Sequence, residues 1–452
     1  MTAASPEEGK SIAVTAASPE EAAFIASLEG RGRLSRYGAY LRRGGPGYLQ
    51  SAMTLGGGTA ASSLFAGRMF GYELLWVAPV GMLIGILLLG VLARLALEDT
   101  ERPYAAMARS AGKWVAVAWA LGALIASVIW HFPQYALAGA AVEDVGQVMG
   151  IERLFGVIPM TPVGGAFAVL AIAVAASLLY GRTPRLARAY ELFVQVLIMG
   201  VIACFGLVVI NAAGDIDWGA VARGFIPHIP EPRGGQDPWI LVASGLGAAV
   251  GINMVLLYPY SLRTRGWGKE HVECARFDLF AGMLVPYTLA TTLVLVATAT
   301  TIPWEGGEEL QKLKPVQAAQ AFGAVLGETG GRLVFDLGLL GMALSTIALH
   351  MIASGFAVAE MTGAGPKSLA YRLGTFLPVP GVLGPLLWKD LLWLAVPTNI
   401  VCGLFLPITY VGVILWARRA KRPSPGPVLA LMALATIFLT AVLTATIVAK
   451  LA

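Results

Sequence analysis

Leu55-Gly56-Gly57-Gly58-Thr59 and Gly245-Leu246-Gly247-Ala248-Ala249-Val250-Gly251-Ile252-Asn253 decide how this chain is read. Both stretches lie inside long apolar runs, where helix interiors are expected. A glycine in a helix interior costs about 1 kcal/mol relative to alanine, so three in succession specify a continuous helix poorly. In the second stretch the glycines again cluster near mid-segment, and polar Asn253 falls at membrane depth. Unwound backbone is tolerated in a bilayer only where it is buried in protein or lines a wet cavity. Paired interruptions in corresponding halves of a chain point to a transporter built from inverted repeats, with its site at the breaks. Close helix packing through small residues would use the same glycines.

The composition around them fixes the environment. Hydrophobic residues make up 57% of the 452 positions and charged residues 13%, with a mean hydropathy of +0.72. Soluble domains carry about 25% charged residues, and so little charge cannot cover a water-facing surface. The chain reads as an all-α integral membrane protein in a lipid bilayer. Long apolar runs, without the alternation of membrane strands, exclude an outer-membrane barrel.

Eleven apolar segments can be drawn: residues 45–67, 72–97, 113–142, 163–180, 187–212, 238–262, 276–302, 332–359, 369–387, 391–417 and 427–449. This divides the chain into a tail, residues 1–44, and a transporter domain, residues 45–452. Spans one to five cover about 45–212, spans six to ten about 238–417, and span eleven about 427–449. Residues 315–326 read as a short amphipathic surface helix. With the N-terminus in the cytoplasm, inner loops hold 23 of the 32 lysines and arginines, as the positive-inside rule requires. The C-terminus then lies outside.

The tail repeats itself: Thr2–Glu8 recurs as Thr15–Glu21. It has no apolar stretch of signal-peptide type. Ser18-Pro19-Glu20-Glu21 carries an N-cap, a proline at the first helical position and a glutamate at the third. A helix from there to about Leu28 is expected.

Several chemistries are excluded. The net charge of +5 is spread over loops, so no nucleic-acid partner is implied. Cys204, Cys274 and Cys402 have no metal-ligand spacing and are read as small packing residues. There is no phosphate-binding Gly-x4-Gly-Lys-Ser/Thr loop and no His-Glu-x-x-His pair, so neither an ATP-driven pump nor an enzyme is expected, and no cofactor. Tyr72, Trp76, Trp239 and Trp388, near span ends, suit interfacial anchors. Glu143 and Asp144 read as a solvated loop edge, and Asp278 as a gate or packing group. Asp336 and Glu191 suit snorkelling or helix capping. His350 reads as structural.

Gly45-Pro46-Gly47-Tyr48-Leu49, Ala66-Gly67, Phe70-Gly71-Tyr72 and Leu74-Leu75-Trp76-Val77 resemble the first two helices of the natural-resistance-associated macrophage protein (NRAMP) family of metal transporters. Gly247-Ala248-Ala249-Val250 is similar to the approach to its sixth-helix motif. Asn399 with Leu406-Pro407 is similar to its tenth helix, where a glutamine usually takes the asparagine position. The resemblance runs from Gly45 through most of the chain. It implies eleven helices in a LeuT-type inverted repeat with helices one and six broken, and alternating access between two half-sites. It also implies residence in the bacterial inner (plasma) membrane.

The departures fall on the family's metal site. Its Asp-Pro-Gly-Asn motif lies on Gly56-Gly57-Gly58-Thr59, and its Met-Pro-His motif on Gly251-Ile252-Asn253. A second sixth-helix histidine corresponds to Tyr258, and an acidic pair of the third helix to His131 and Gln134. The expected substrate site therefore comprises Thr54, Gly56, Gly57, Gly58, Thr59, Ala248, Gly251, Asn253 and Asn399, with His131 and Gln134 as a proton or polar pathway. Any metal would be held by Thr59, Asn253, Asn399 and backbone carbonyls, without a carboxylate and with weak or no proton coupling. Half-helix N-termini would also suit a small anionic or zwitterionic solute, and a non-transporting scaffold or sensor is a further reading. The sequence names no protein partner.

Overall fold

A computed structural model describes residues 17–179, 184–304, 306, 313, 318, 327–365, 368–390 and 392–451. Its regular structure there is helical apart from one small hairpin, in which Arg153–Leu154 pairs antiparallel with Ile158–Pro159, and an isolated bridge between Arg233 and Gln236. Among the described residues seven helices are long and apolar enough to cross a membrane: Val77–Glu98, Lys113–Met149, Pro238–Thr264, Lys269–Thr301, Glu328–Thr362, Ala395–Arg419 and Gly426–Val448. Pro162–Leu178 and Ile202–Asn211 are shorter apolar stretches. The amphipathic helix expected at residues 315–326 lies outside the described residues, save Ala318.

Four expected spans are not single rods. The sixth is divided into Pro238–Ala249 and Ile252–Thr264, and the tenth into Ala395–Gly403 and Leu406–Arg419. The other two are the first and the ninth. The first is a pair of short helices, Pro46–Thr54 and Gly57–Phe70. The ninth falls into three pieces, Leu369–Phe376, a 3-10 turn Val379–Leu383 and Gly384–Leu387. Pro378, Pro380 and Pro385 each remove a backbone donor there, which a continuous helix cannot absorb.

Burial ranks the helices. In Pro238–Thr264, 89% of the most apolar stretch is buried in protein, against 28% in Gly426–Val448. The former is central and the latter peripheral, with Leu431, Leu434 and Ile437 exposed along it; such a stripe belongs against lipid. The most extensive helix pairing joins Lys113–Met149 to Glu328–Thr362. A separate small core of Tyr135, Ala138, Ala166, Ala343 and Ile347 fills the angle between that pair and Pro162–Leu179.

Three side chains contradict their sequence reading: Asp336, Trp76 and Asp144. Asp336, expected to snorkel or cap, is fully buried within the helix Glu328–Thr362. Trp76 is buried, not interfacial, and its indole donates to the His228 carbonyl at 2.9 Å. Asp144 is fully buried and paired with Arg332, whose Nε donates to Oδ2 at 3.2 Å. The sequence places these partners 188 positions apart, so local composition shows only a loop edge.

The tail docks on the core through ion pairs. Ser18 Oγ caps the helix Pro19–Ala26 by accepting from Glu21 N at 3.3 Å. A second helix, Arg33–Arg43, stacks Tyr37 on Phe277 with ring centroids 4.7 Å apart. Glu21 is buried and meets Arg43 Nη2 at 2.9 Å and His271 Nε2 at 3.5 Å. Burial alone would raise its carboxyl pKa, but the His271 and Arg43 hydrogen bonds outweigh it and hold the group below its ordinary value. A carboxyl with a depressed folded pKa stabilises fully above its unfolded value, roughly 4.3, and loses that contribution as pH falls through the folded one. Hydrogen exchange in Pro19–Ala26 should therefore speed up as pH drops below that value, after correction for intrinsic rates. Glu21→Gln should flatten the response; an unchanged response in that variant would refute the linkage.

Candidate functional site

The two quoted stretches meet. The helix Pro46–Thr54 stops at Leu55 (φ −75°, ψ 54°), Gly56 is extended (φ −96°, ψ 178°), and a helix restarts at Gly57. In the partner stretch Val250 (φ −144°, ψ 110°) and Gly251 (φ −83°, ψ 153°) are extended between Pro238–Ala249 and Ile252–Thr264. Each break leaves backbone groups without helical partners. Thr59 Oγ1 reaches back across the first to donate to the Thr54 carbonyl at 2.5 Å. Gln134 Oε1 accepts from Gly57 N at 3.1 Å.

Only Gly56 of the three consecutive glycines is unwound; Gly57 and Gly58 open the second helix. They are needed for close approach. A Cβ on Gly58 would fall into the Trp130 ring, and one on Gly57 into the Leu137 side chain. Gly247 likewise has the Asn399 backbone against it.

At the N-terminus of the first short helix, Asp278 accepts from Gly45 N at 3.1 Å and from Gly47 N at 2.5 Å. This aspartate is a helix cap on Pro46–Thr54 and lies outside the break. A carboxylate suits that end of the helix dipole. It comes from Val272–Leu279, immediately before a π-turn at Phe280–Leu284 that packs on the same short helix.

A cavity of about 10 Å³, room for roughly one water molecule, lies between the breaks. Thr54, Gly56, Gln134, Ala248, Gly251 and Asn253 line it, as do Met53, Trp130, Gly247, Met254 and His350. Among the described residues no aspartate, glutamate, lysine or arginine does. The other expected residues stand apart. Thr59 lines a second small void with Ser62, Tyr287 and, from its other side, Ala248. Asn399 is a cross-link: its Nδ2 contacts Gly58 O at 3.2 Å, Ser62 Oγ at 2.8 Å and Ser244 Oγ at 2.9 Å. It ties the tenth helix to both interrupted ones because its amide finds acceptors from each. His131 is buried behind the cavity, its ring 5.7 Å from that of His350, with Nδ1 on the Ser127 carbonyl at 2.6 Å. That carbonyl can only accept, so Nδ1 carries the proton.

Sequence reasoning missed Met254 and His350. The thioether absent from position 251 reappears at 254, where Met254 Sδ accepts from Gly251 N at 3.3 Å and from Thr54 Oγ1 at 3.1 Å. One turn of restarted helix brings the sulfur back to the break. Three polar atoms of lining residues have no partner among the described residues: Asn253 Nδ2, Gln134 Nε2 and His350 Nδ1. Buried polar atoms are nearly always satisfied, so these three are available to a guest in the void. Among the described residues no cluster of three histidines, cysteines or carboxylates could hold a metal ion.

Residues 47–452 match the family described as natural resistance-associated macrophage protein-like. A divalent metal cation transporter MntH of Brucella suis is 26% identical over 412 residues, 86% of this chain and 84% of its own. The MntH of Agrobacterium fabrum is 28% identical over 326 residues, 69% of this chain and 66% of its own. The fold is similar to that of the Eremococcus coleocola manganese transporter, with a TM-score of 0.72 at 18% identity over 96% of this chain and 89% of that one. It is also similar to a nucleobase-cation-symport-1 family transporter, with a TM-score of 0.57 at 15% identity over 90% and 91%. With helices interrupted at facing positions and a family match over nearly its whole length, this integral membrane protein belongs to the NRAMP-like family of transporters.

Proposed function

We propose that the chain is a secondary or facilitative transporter that moves a metal ion across the membrane through a carboxylate-free site between its first and sixth spans. Eleven spans in a LeuT-type inverted repeat, with those two spans broken, would carry alternating access around that site. The N-terminus is cytoplasmic and the C-terminus outside, in an inner membrane. One observation carries the reading: among the described residues no carboxylate, lysine or arginine lines the cavity between the two breaks. Thr54, Gly56, Gly251 and Asn253 supply its polar wall, and Ala248 faces it beside the end of Pro238–Ala249. A coupling proton would find the His131–His350 pair beside the cavity but, among the described lining residues, no carboxylate, the usual relay in a membrane.

Proteoliposome uptake tests both parts. A carrier moving one proton per ion gains about 1.4 kcal/mol, a tenfold accumulation, from each pH unit imposed. Uptake of a metal ion with no such gain is expected; a tenfold gain would overturn the weak coupling. Thermal stabilisation by an amino or organic acid, with none by any metal, would replace the metal with that solute.

A further inference from the structure

We propose that the ion is soft and singly charged, of the copper(I) and silver(I) class, held by the Met254 and Met53 thioethers and the His350 imidazole. The inference rests on the transport reading and names its cargo. Its starting point is which ligand atoms the cavity leaves available. Asn253 Oδ1 accepts from Met254 N at 3.0 Å, and Gln134 Oε1 accepts from Gly57 N at 3.1 Å. Both amides thus commit their oxygens to backbone and leave N–H groups unpartnered. A hard ion such as manganese(II) or magnesium wants oxygen ligands, commonly carboxylate, and meets none that is both charged and free.

Sulfur and imidazole remain. Met254 and His350 are each 2% exposed and Met53 is 4% exposed, and all three line the cavity. A thioether is a weak hydrogen-bond acceptor, so the contacts of Met254 Sδ with Gly251 N and Thr54 Oγ1 are easily exchanged for a metal bond. Thioether ligands select soft ions such as copper(I). Charge and size argue the same way. The cost of transferring an ion from water into a low-dielectric site grows with the square of its charge, so a doubly charged ion pays about four times more. With no carboxylate to offset it, one positive charge is the tolerable load. Room for about one water molecule suits a bare ion better than a hydrated one.

Silver(I) in chloride-free nitrate buffer is a redox-inert probe of this class. The purified full chain is used with Cys204, Cys274 and Cys402 replaced by alanine, so that no thiol competes. One silver(I) should bind per chain, and X-ray absorption should show sulfur in its coordination shell, which methionine alone can then supply. Met254→Leu, which conserves volume, should weaken binding on the order of tenfold or more, while the ion-free chain melts only slightly lower because Gly251 N and Thr54 Oγ1 lose their sulfur acceptor. Met53→Leu gives an independent reading if that variant does not fold. A shell of nitrogen and oxygen only, or stabilisation by manganese(II) that exceeds that by silver(I), would overturn the proposal. Manganese uptake indifferent to Met254→Leu would also sink it while leaving transport standing. Silver bound through sulfur, with no ion moved in liposomes, would sink the transport reading instead.

Discussion

Gly58→Ala is expected to reduce uptake to background and to destabilise the chain by about 1–3 kcal/mol, the usual cost of forcing a methyl group into a packed interior. The added Cβ would lie within the Trp130 indole and 2.9 Å from Asn399 Oδ1. Trp130 cannot give way at small cost. Its ring is packed near His350, with centroids 6.1 Å apart, and the void it lines is about 10 Å³. Movement of the indole would fill the cavity; movement of the helix would strain the Asn399 cross-link to Gly58, Ser62 and Ser244. Either route damages the site. Gly200→Ala is the control, because a Cβ there meets nothing within 4 Å on a helix. Alanine should stabilise that position by up to about 1 kcal/mol. Thermal unfolding in detergent and uptake in liposomes read both variants. Normal uptake by Gly58→Ala would show that the Trp130 contact does not support the site.

The glycines also show what a sequence can and cannot say. Their number marks backbone that must do without a Cβ, and that was legible at Gly56, Gly57, Gly58 and Gly251. Unwinding and close approach make the same demand on composition. Only packing separates Gly56, which is extended, from Gly58, which opens a helix beneath an indole. The family motif located the meeting place, because a motif carries its position with it. It gave no access to Met254, whose sulfur returns to the break through the phase of the restarted helix, or to His350, which arrives from another span. Asn399 was read as a ligand because its type and place suit one. Its amide nitrogen is also shared among three acceptors on two other helices, a geometry that exists only after packing.

The second large effect lies away from the cavity. Arg332→Ala should cost about 3–5 kcal/mol, the usual penalty for leaving one partner of a buried ion pair alone. Asp144 is 0% exposed and receives two hydrogen bonds from the Arg332 guanidinium, while that side chain is only 15% exposed. The two-pronged geometry is the strong form of such pairs. It joins Lys113–Met149 to Glu328–Thr362 near one end of the most extensive helix contact in the described chain. Asp336, also buried, stands one helical turn beyond Arg332, so loss of the guanidinium removes the nearby positive charge from two carboxyl groups at once. Asp144→Asn in the Arg332→Ala background should recover much of the loss, since it deletes the stranded charge and keeps the shape. A double-mutant cycle on thermal unfolding isolates the pair from its neighbours. Equal melting of Arg332→Ala and the parent chain, or no recovery in the double variant, would mean that the pair is solvated rather than buried, and that the two long helices are held together by their apolar faces alone.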